Sequence, residues 1–181
     1  MALPAHLTPA EFDALHDAPV RWRDDVAAIA ARLSPAPVQP LTEGTALVAR
    51  VGAHHVLKVY PPFLRDHFDF ERAMLRLVQG RLPLPTPALL ADGDDAGWPW
   101  LWMSWLPGEP LTEAWPRLDA AARRRVLHGI GRTMAAVHAL PVATLRPLAP
   151  AWGDFLARQF AGCAAGPPRP RQPAPQKGRG G

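Results

Sequence analysis

Apolar residues recur along this chain with two different periods, and each change of period marks an element. Thr8-Pro9-Ala10-Glu11 is a capping box with proline in the first helical position, so a short helix starts at Thr8. Trp22, Val26, Ile29 and Leu33 then share one face of a second helix over Val20 to Leu33. Both helices are expected to pack against the sheet that follows. Residues 34–40 (SPAPVQP) read as a linker. Leu41 to Val51 reads as two short strands around Glu43-Gly44-Thr45, and Gly52-Ala53 turns the chain into another strand. That strand, with Val56, Leu57, Val59 and Tyr60, is short, apolar and β-rich, and Pro61-Pro62 closes it. Helical spacing returns over Leu64 to Val78, with Phe63, Phe70, Met74, Leu77 and Val78 as the apolar face.

Leu82 to Ala88 (LPLPTPA) is a rigid extended connector, and Leu89-Leu90-Ala91 is a strand ending in a turn over Asp92 to Gly97. Trp98 to Leu106 (WPWLWMSWL) is a strongly β-prone strand, stopped by Pro107-Gly108-Glu109-Pro110. Leu118 to Leu140 reads as a long helix whose apolar side is Val126, Ile130, Met134 and Val137. Gly129 and Gly131 cost that helix propensity and point to close helix packing. Trp152 to Cys163 begins a further helix. From Gly166 the composition changes to GPPRPRQPAPQKGRGG, which buries nothing and is expected to be disordered.

Composition narrows the class. With 181 residues, 48% apolar and 20% charged, the chain can bury a core. No run approaches 18 apolar residues and no cationic segment precedes an apolar one at the N-terminus, so neither a membrane span nor a signal peptide is expected. The single cysteine, Cys163, allows no internal disulfide and fits a reducing cytoplasm. The net charge of +4 comes from the tail: Arg169, Arg171, Lys177 and Arg179 face no acid there, and the rest of the chain is neutral. That argues against a nucleic-acid surface on the body.

Lys58 is the residue whose placement most needs an explanation. It sits inside the apolar strand, where an unpaired ammonium is expensive, in a chain with two lysines and eighteen arginines. Glu71, thirteen residues on in a helix, is its candidate partner. The plain alternative is a lysine snorkelling from an edge strand. Gly44 allows a tight turn and close backbone approach to a ligand, but on this one glycine an ordinary hairpin turn is the better-supported reading. The acids of Asp92 to Asp95 lack the spacing of a calcium loop and read as a solvated turn. The tryptophans of 98–106 read as core before they read as nucleobase platforms, and His138 as a helix-terminal histidine.

Taken in order, these pieces resemble the aminoglycoside phosphotransferase family, a branch of the protein-kinase-like fold. The resemblance covers Leu7 to Cys163. It rests on the Glu43-Gly44-Thr45 turn, the Lys58 strand, the Glu71 helix and the Leu84-Pro-Thr-Pro87 connector. It also takes in the strand running to Leu106-Pro-Gly-Glu-Pro-Leu111 and the helix ending Val137-His-Ala-Leu-Pro141. Pro61-Pro62 and the two leading helices are most similar to the hygromycin-kinase-like branch. The resemblance implies an α+β fold, the N-terminal lobe of a kinase, with about five antiparallel strands and a helix over residues 41–111. Leading helices and linker would occupy 1–40, the start of a helical C-terminal lobe 112–165, and the tail 166–181.

It also implies roles. Lys58 would hold the α- and β-phosphates of ATP and Glu71 would orient it. Gly44 and Thr45 would cover the phosphates, the Ser104 carbonyl and Leu106 amide would bind the adenine edge, and Met103 would back the pocket. The pattern departs from the family after His138. The family's catalytic His-Gly-Asp and asparagine, and the later aspartate that holds magnesium, lie well beyond such a helix. Only 43 residues follow His138 here, the last 16 of them low-complexity. Gly153-Asp154-Phe155 comes too soon, so Asp154 is read as a first-turn acid, and the break at Gly166 as a frame change or premature end. The expectation is therefore a member of an ATP-dependent small-molecule phosphotransferase family, without catalytic or metal-holding residues and inactive alone. Its expected partners are nucleotide and, in a complete homologue, a small-molecule acceptor; self-association through an exposed lobe interface is a further expectation. A nucleotide- or partner-binding module and nucleic-acid association through the basic tail are the alternatives.

Overall fold

Five strands pair in one antiparallel sheet: β1 (Val38–Leu41), β2 (Leu47–Val51), β3 (His55–Val59), β4 (Leu89–Asp95) and β5 (Trp98–Ser104), in the order β1-β2-β3-β5-β4. The computed structural model describes residues 3–42, 44–149 and 151–165, with side chains to 162. The predicted tail, Glu43 of the turn and the Cys163 side chain lie outside the described residues. A first compact unit spans Met1–Leu148 and a second Ala149–Gly181.

Alternation along the strands splits the apolar residues between two faces of the sheet. One set (Leu47, Ala49, Val51, Leu57, Val59, Trp98 and Trp102) packs on α1 (Pro9–His16) and α2 (Arg23–Ala31), which contribute Phe12, Leu15, Trp22, Val26, Ile29 and Ala30. The other set (Tyr60, Leu101 and Met103, with Ala46) packs on α3 (Arg65–Val78) through Phe68 and Leu75. The predicted capping box is present: Thr8 Oγ1 accepts from the Glu11 N–H while the Glu11 carboxylate accepts from the Thr8 N–H at 2.8 Å. The N-terminal segment is tied down by Trp98 Nε1, which donates to the Pro4 carbonyl at 3.0 Å.

Several boundaries differ from the sequence pattern. The second helix is shorter, with a 3₁₀ turn over Pro19–Arg21 ahead of it, and Leu33 lies beyond its end, 36% exposed. The supposed linker supplies β1, an edge strand, where Pro40 costs no interior ladder bond. On α3 the buried residues are Phe68, Leu75, Leu77 and Val78, so Leu77 and Val78 face the core as expected, whereas Phe70, and Phe63 just ahead of the helix, are exposed by 40% and 39%. β4 runs on through Asp95, so the hairpin turn shrinks to Ala96-Gly97, both at positive φ (51° and 89°) as a two-residue loop requires. The β4 acids are then not a solvated turn, because arginines of α3 reach them. Arg72 Nη1 lies 3.2 Å from Asp92, Arg76 Nη2 2.5 Å from Asp92, and Arg65 Nη1 2.8 Å from Asp94.

β5 ends at Ser104 rather than Leu106. Its tryptophans are core, as read: Trp98 and Trp102 are buried, and the Trp100 ring covers Gly93 on β4. After a short α4 (Leu111–Ala114), α5 (Ala120–His138) starts at Asp119, whose carboxylate accepts from the Ala122 N–H at 2.6 Å. Among the described residues none of α5 is buried, and Leu127 and Met134 are 57% and 55% exposed. Beyond the helix's own backbone and the chain neighbours, no described atom comes within 4 Å of a Cβ placed on Gly129 or Gly131, so the described residues show no close helix packing at these glycines. The periodic apolar pattern made α5 amphipathic, but it says nothing about what covers the apolar side. In the second unit α6 (Trp152–Ala165) stacks Trp152 on Phe155 at 5.4 Å, with Asp154 in its first turn. No described helix is long and apolar enough to cross a membrane.

Candidate functional site

Lys58 alternates with Leu57 and Val59, which face the leading helices, so its side chain is directed to the α3 face. Its cross-strand neighbours are Val48 on β2 and Leu101 on β5, both apolar. An ammonium held there needs a partner. Glu71 supplies it: Lys58 Nζ donates to Glu71 Oε2 at 2.6 Å, with the two side chains 18% and 34% exposed. Glu71 can reach because it shares the inward stripe of α3 with Phe68 and Leu75, three residues after one and four before the other. The snorkelling alternative for Lys58 is thereby excluded, since β3 lies in the middle of the sheet. An ion pair of this kind gains little for stability once desolvation is counted.

A third group, read from the sequence only as part of the apolar strand, joins the pair. The Tyr60 hydroxyl donates to the same oxygen, Glu71 Oε2, at 2.6 Å, and Lys58 Nζ lies 5.2 Å from the Tyr60 ring centre. Burial, then the hydrogen bond to Glu71 and its negative charge, push the Tyr60 phenol far above its ordinary value of 10.0. The signal was there to find: Tyr60 stands two residues after Lys58 and is the chain's one tyrosine.

The other predicted positions lie around the same sheet. Gly44 takes φ +115°, a conformation favouring glycine, and a Cβ placed on it would sit 3.7 Å from Cγ2 of Val48, the β2 neighbour of Lys58. Thr45 beside it is exposed. Met103 is buried on the α3 face, two residues along β5 from Leu101. Ser104, the end of β5, is three residues from the Lys58 register, roughly 10 Å along the strand. Its N–H donates to the Ala88 carbonyl at 2.9 Å, while the Ala88 N–H donates to the Ser104 hydroxyl at 2.8 Å rather than to its carbonyl. The Trp105 N–H is bound by the His54 carbonyl at 2.7 Å, and Leu106 follows, 37% exposed. The structure thus brings Lys58 and Glu71 into contact and places Gly44 one side chain away. It shows no direct contact between that pair and the Met103–Leu106 stretch. His138 is exposed at the end of α5. Among the described residues no three acidic, histidine or cysteine side chains converge as a metal cage.

The model of the phosphotransferase enzyme family matches residues 37–177. The chain belongs to that family. Its fold is also that of solved aminoglycoside phosphotransferases. The GDP complex of wild-type aminoglycoside 2'-phosphotransferase-IIIa superposes with a TM-score of 0.64 at 17% identity, covering 82% of this chain and 52% of that one. The GDP complex of a point variant of the same enzyme gives 0.63 at 19% identity, covering 80% and 51%. The chain therefore spans about half the length of these structures. Comparison with curated proteins yields no match. In family terms the five-stranded sheet and α3 form the kinase-like lobe, and the Lys58–Glu71 pair joins its strand to its helix.

Proposed function

We propose that this chain holds the phosphates and base of a nucleoside triphosphate, as the nucleotide-binding part of a phosphotransferase acting on a small-molecule hydroxyl. The observation that carries the reading is the 2.6 Å contact between Lys58 and Glu71. It fixes a compact point charge at the edge of a buried face, where a phosphate can exchange for or share the carboxylate. Lys58 holds the α- and β-phosphates and Glu71 orients it. Gly44 and Thr45 lie over the phosphates, where a positive-φ glycine lets the backbone approach closely. The Ser104 carbonyl and Leu106 amide take the base edge, with Met103 behind it. The diversion of the Ala88 N–H to the Ser104 hydroxyl supports this role for the carbonyl.

Magnesium enters with the phosphates of the nucleotide in this reading. Glu71 is given a positioning role, since its Oε2 accepts from both Lys58 and Tyr60. By this reading the chain binds ATP or GTP but does not transfer phosphoryl on its own. The GDP held in the two structures of aminoglycoside 2'-phosphotransferase-IIIa agrees with a purine nucleotide, and that enzyme's name makes an aminoglycoside the first acceptor to try.

Calorimetry with magnesium-ATP and magnesium-GTP, beside Lys58→Ala, tests the proposal, with product assayed on a panel of aminoglycosides. Binding lost in Lys58→Ala without product is the expected result. Product from the wild-type chain would overturn the statement about transfer, and equal binding by Lys58→Ala would overturn the phosphate site.

A further inference from the structure

We propose that Tyr60 is a positioning residue: its hydroxyl holds the Glu71 carboxylate from the buried side so that Glu71, in turn, holds Lys58. The functional consequence rests on the nucleotide reading above, whereas the positioning stands on geometry alone.

Lys58 and Glu71 are both long side chains, and Glu71 is a third exposed, so a two-membered pair could swing apart into water. Tyr60 cannot swing. Its backbone N–H donates to the Pro99 carbonyl at 2.8 Å, its side chain is buried, and its ring meets Phe68 edge-on at 5.6 Å. Phe68 stands one turn before Glu71 on α3, so the phenol is locked against the helix whose carboxylate it binds. A phenylalanine would fill the same space, and a buried hydroxyl is costly unless bonded. Its bond goes to the oxygen that accepts Lys58. When Lys58 turns toward a phosphate, Glu71 keeps a charge-assisted partner and stays aimed at the site. Because burial and Glu71 itself keep the phenol protonated well above its usual range, Tyr60 remains a donor across the working pH.

Lys58 and Lys177 are the chain's only lysines, so acylation by acetic anhydride, read peptide by peptide, reports Lys58 against Lys177 as internal reference. With the full chain, Tyr60→Phe is expected to raise Lys58 acylation about 3- to 10-fold and weaken magnesium-ATP binding by a similar factor. On a Glu71→Gln background, Tyr60→Phe adds nothing further. A Lys58 rate equal to or slower than wild type in Tyr60→Phe overturns the proposal. So does an undiminished effect on the Glu71→Gln background, since the phenol would then act elsewhere than through Glu71. Should Tyr60→Phe fold poorly, alkaline titration of this single tyrosine decides: Glu71→Gln must lower the pH at which phenolate forms, and an unchanged titration overturns the proposal. If the wild-type chain binds no nucleotide, or Lys58→Ala binds as well as wild type, the nucleotide reading fails. The acylation and titration then still decide Tyr60.

Discussion

Lys58 on β3 and Glu71 on α3 meet at 2.6 Å although thirteen residues and two prolines separate them, and the Tyr60 hydroxyl sits on the same carboxylate oxygen. The two ends of this pair are not equivalent. Lys58→Met removes the ammonium and keeps the apolar stem, leaving Glu71 bonded to Tyr60. It is expected to cost no more than about 1 kcal/mol of stability but more than about tenfold in magnesium-nucleotide affinity. Glu71→Leu strands the ammonium between Val48 and Leu101 and is expected to cost about 2–3 kcal/mol. Denaturant midpoints and calorimetry on both variants check this. The reverse order of stabilities would mean that the carboxylate, not the lysine, is the group left without a partner.

Tyr60 makes stability fall in alkali. Its folded phenol is held above 10.0 by burial and by Glu71, so above that pH the unfolded chain releases a proton that the folded chain keeps. The contribution is intact below about pH 10 and is lost as pH rises, by up to about 1.4 kcal/mol per pH unit. Guanidinium midpoints between about pH 9 and 11 are expected to drop for wild type and to drop less for Tyr60→Phe.

Gly93 faces Trp100 across the β4–β5 pair. A Cβ built there comes within 2.7 Å of Trp100 Cε2 and closer still to Cζ2, and the indole packs against the buried core. Gly93→Ala must displace it and is expected to cost about 1–3 kcal/mol, lowering the thermal midpoint by about 3–10 °C. A midpoint within a degree of wild type would show that the ring has room to move.

Arg72 links α3 to β4. Its guanidinium reaches Asp69 at 2.9 Å and Asp92 at 3.2 Å and lies 5.0 Å from the Phe68 ring centre. Arg72→Ala is expected to cost about 1 kcal/mol and the more exposed Arg76→Ala less. Because these charges are partly solvated, the gap between wild type and Arg72→Ala should narrow in about 1 M salt, as thermal melts at two salt concentrations will show.

Periodicity and turn chemistry made much of this legible in advance. The Thr8 capping box, the apolar strand around Lys58, the tryptophan strand and the α3 helix follow from local spacing, which the backbone alone enforces. Lys58 stood out because desolvating an unpaired ammonium in an apolar strand is costly wherever the strand is placed. What local spacing could not fix is the angular setting of a face. Phe70 and Phe68 are both plausible core positions on α3, and only contact with β4 and β5 chose Phe68, carrying Glu71 inward with it. In the same way the Asp92 to Asp95 acids look like a solvated turn until arginines on a helix some twenty residues earlier neutralise them, which lets the strand run on.

The sequence by itself determined the order of elements, the strand that holds a lysine and the resemblance to the phosphotransferase family, because these rest on local pattern and steric limits. Tertiary structure alone decided that Lys58 meets Glu71 and that Tyr60 binds the same oxygen. It also decided that Gly93 lies under Trp100 and that α5 shows Leu127 and Met134 to solvent. Each of these depends on how separate elements are docked against one another, and the free energy that chooses the docking comes from burial summed over the whole sheet.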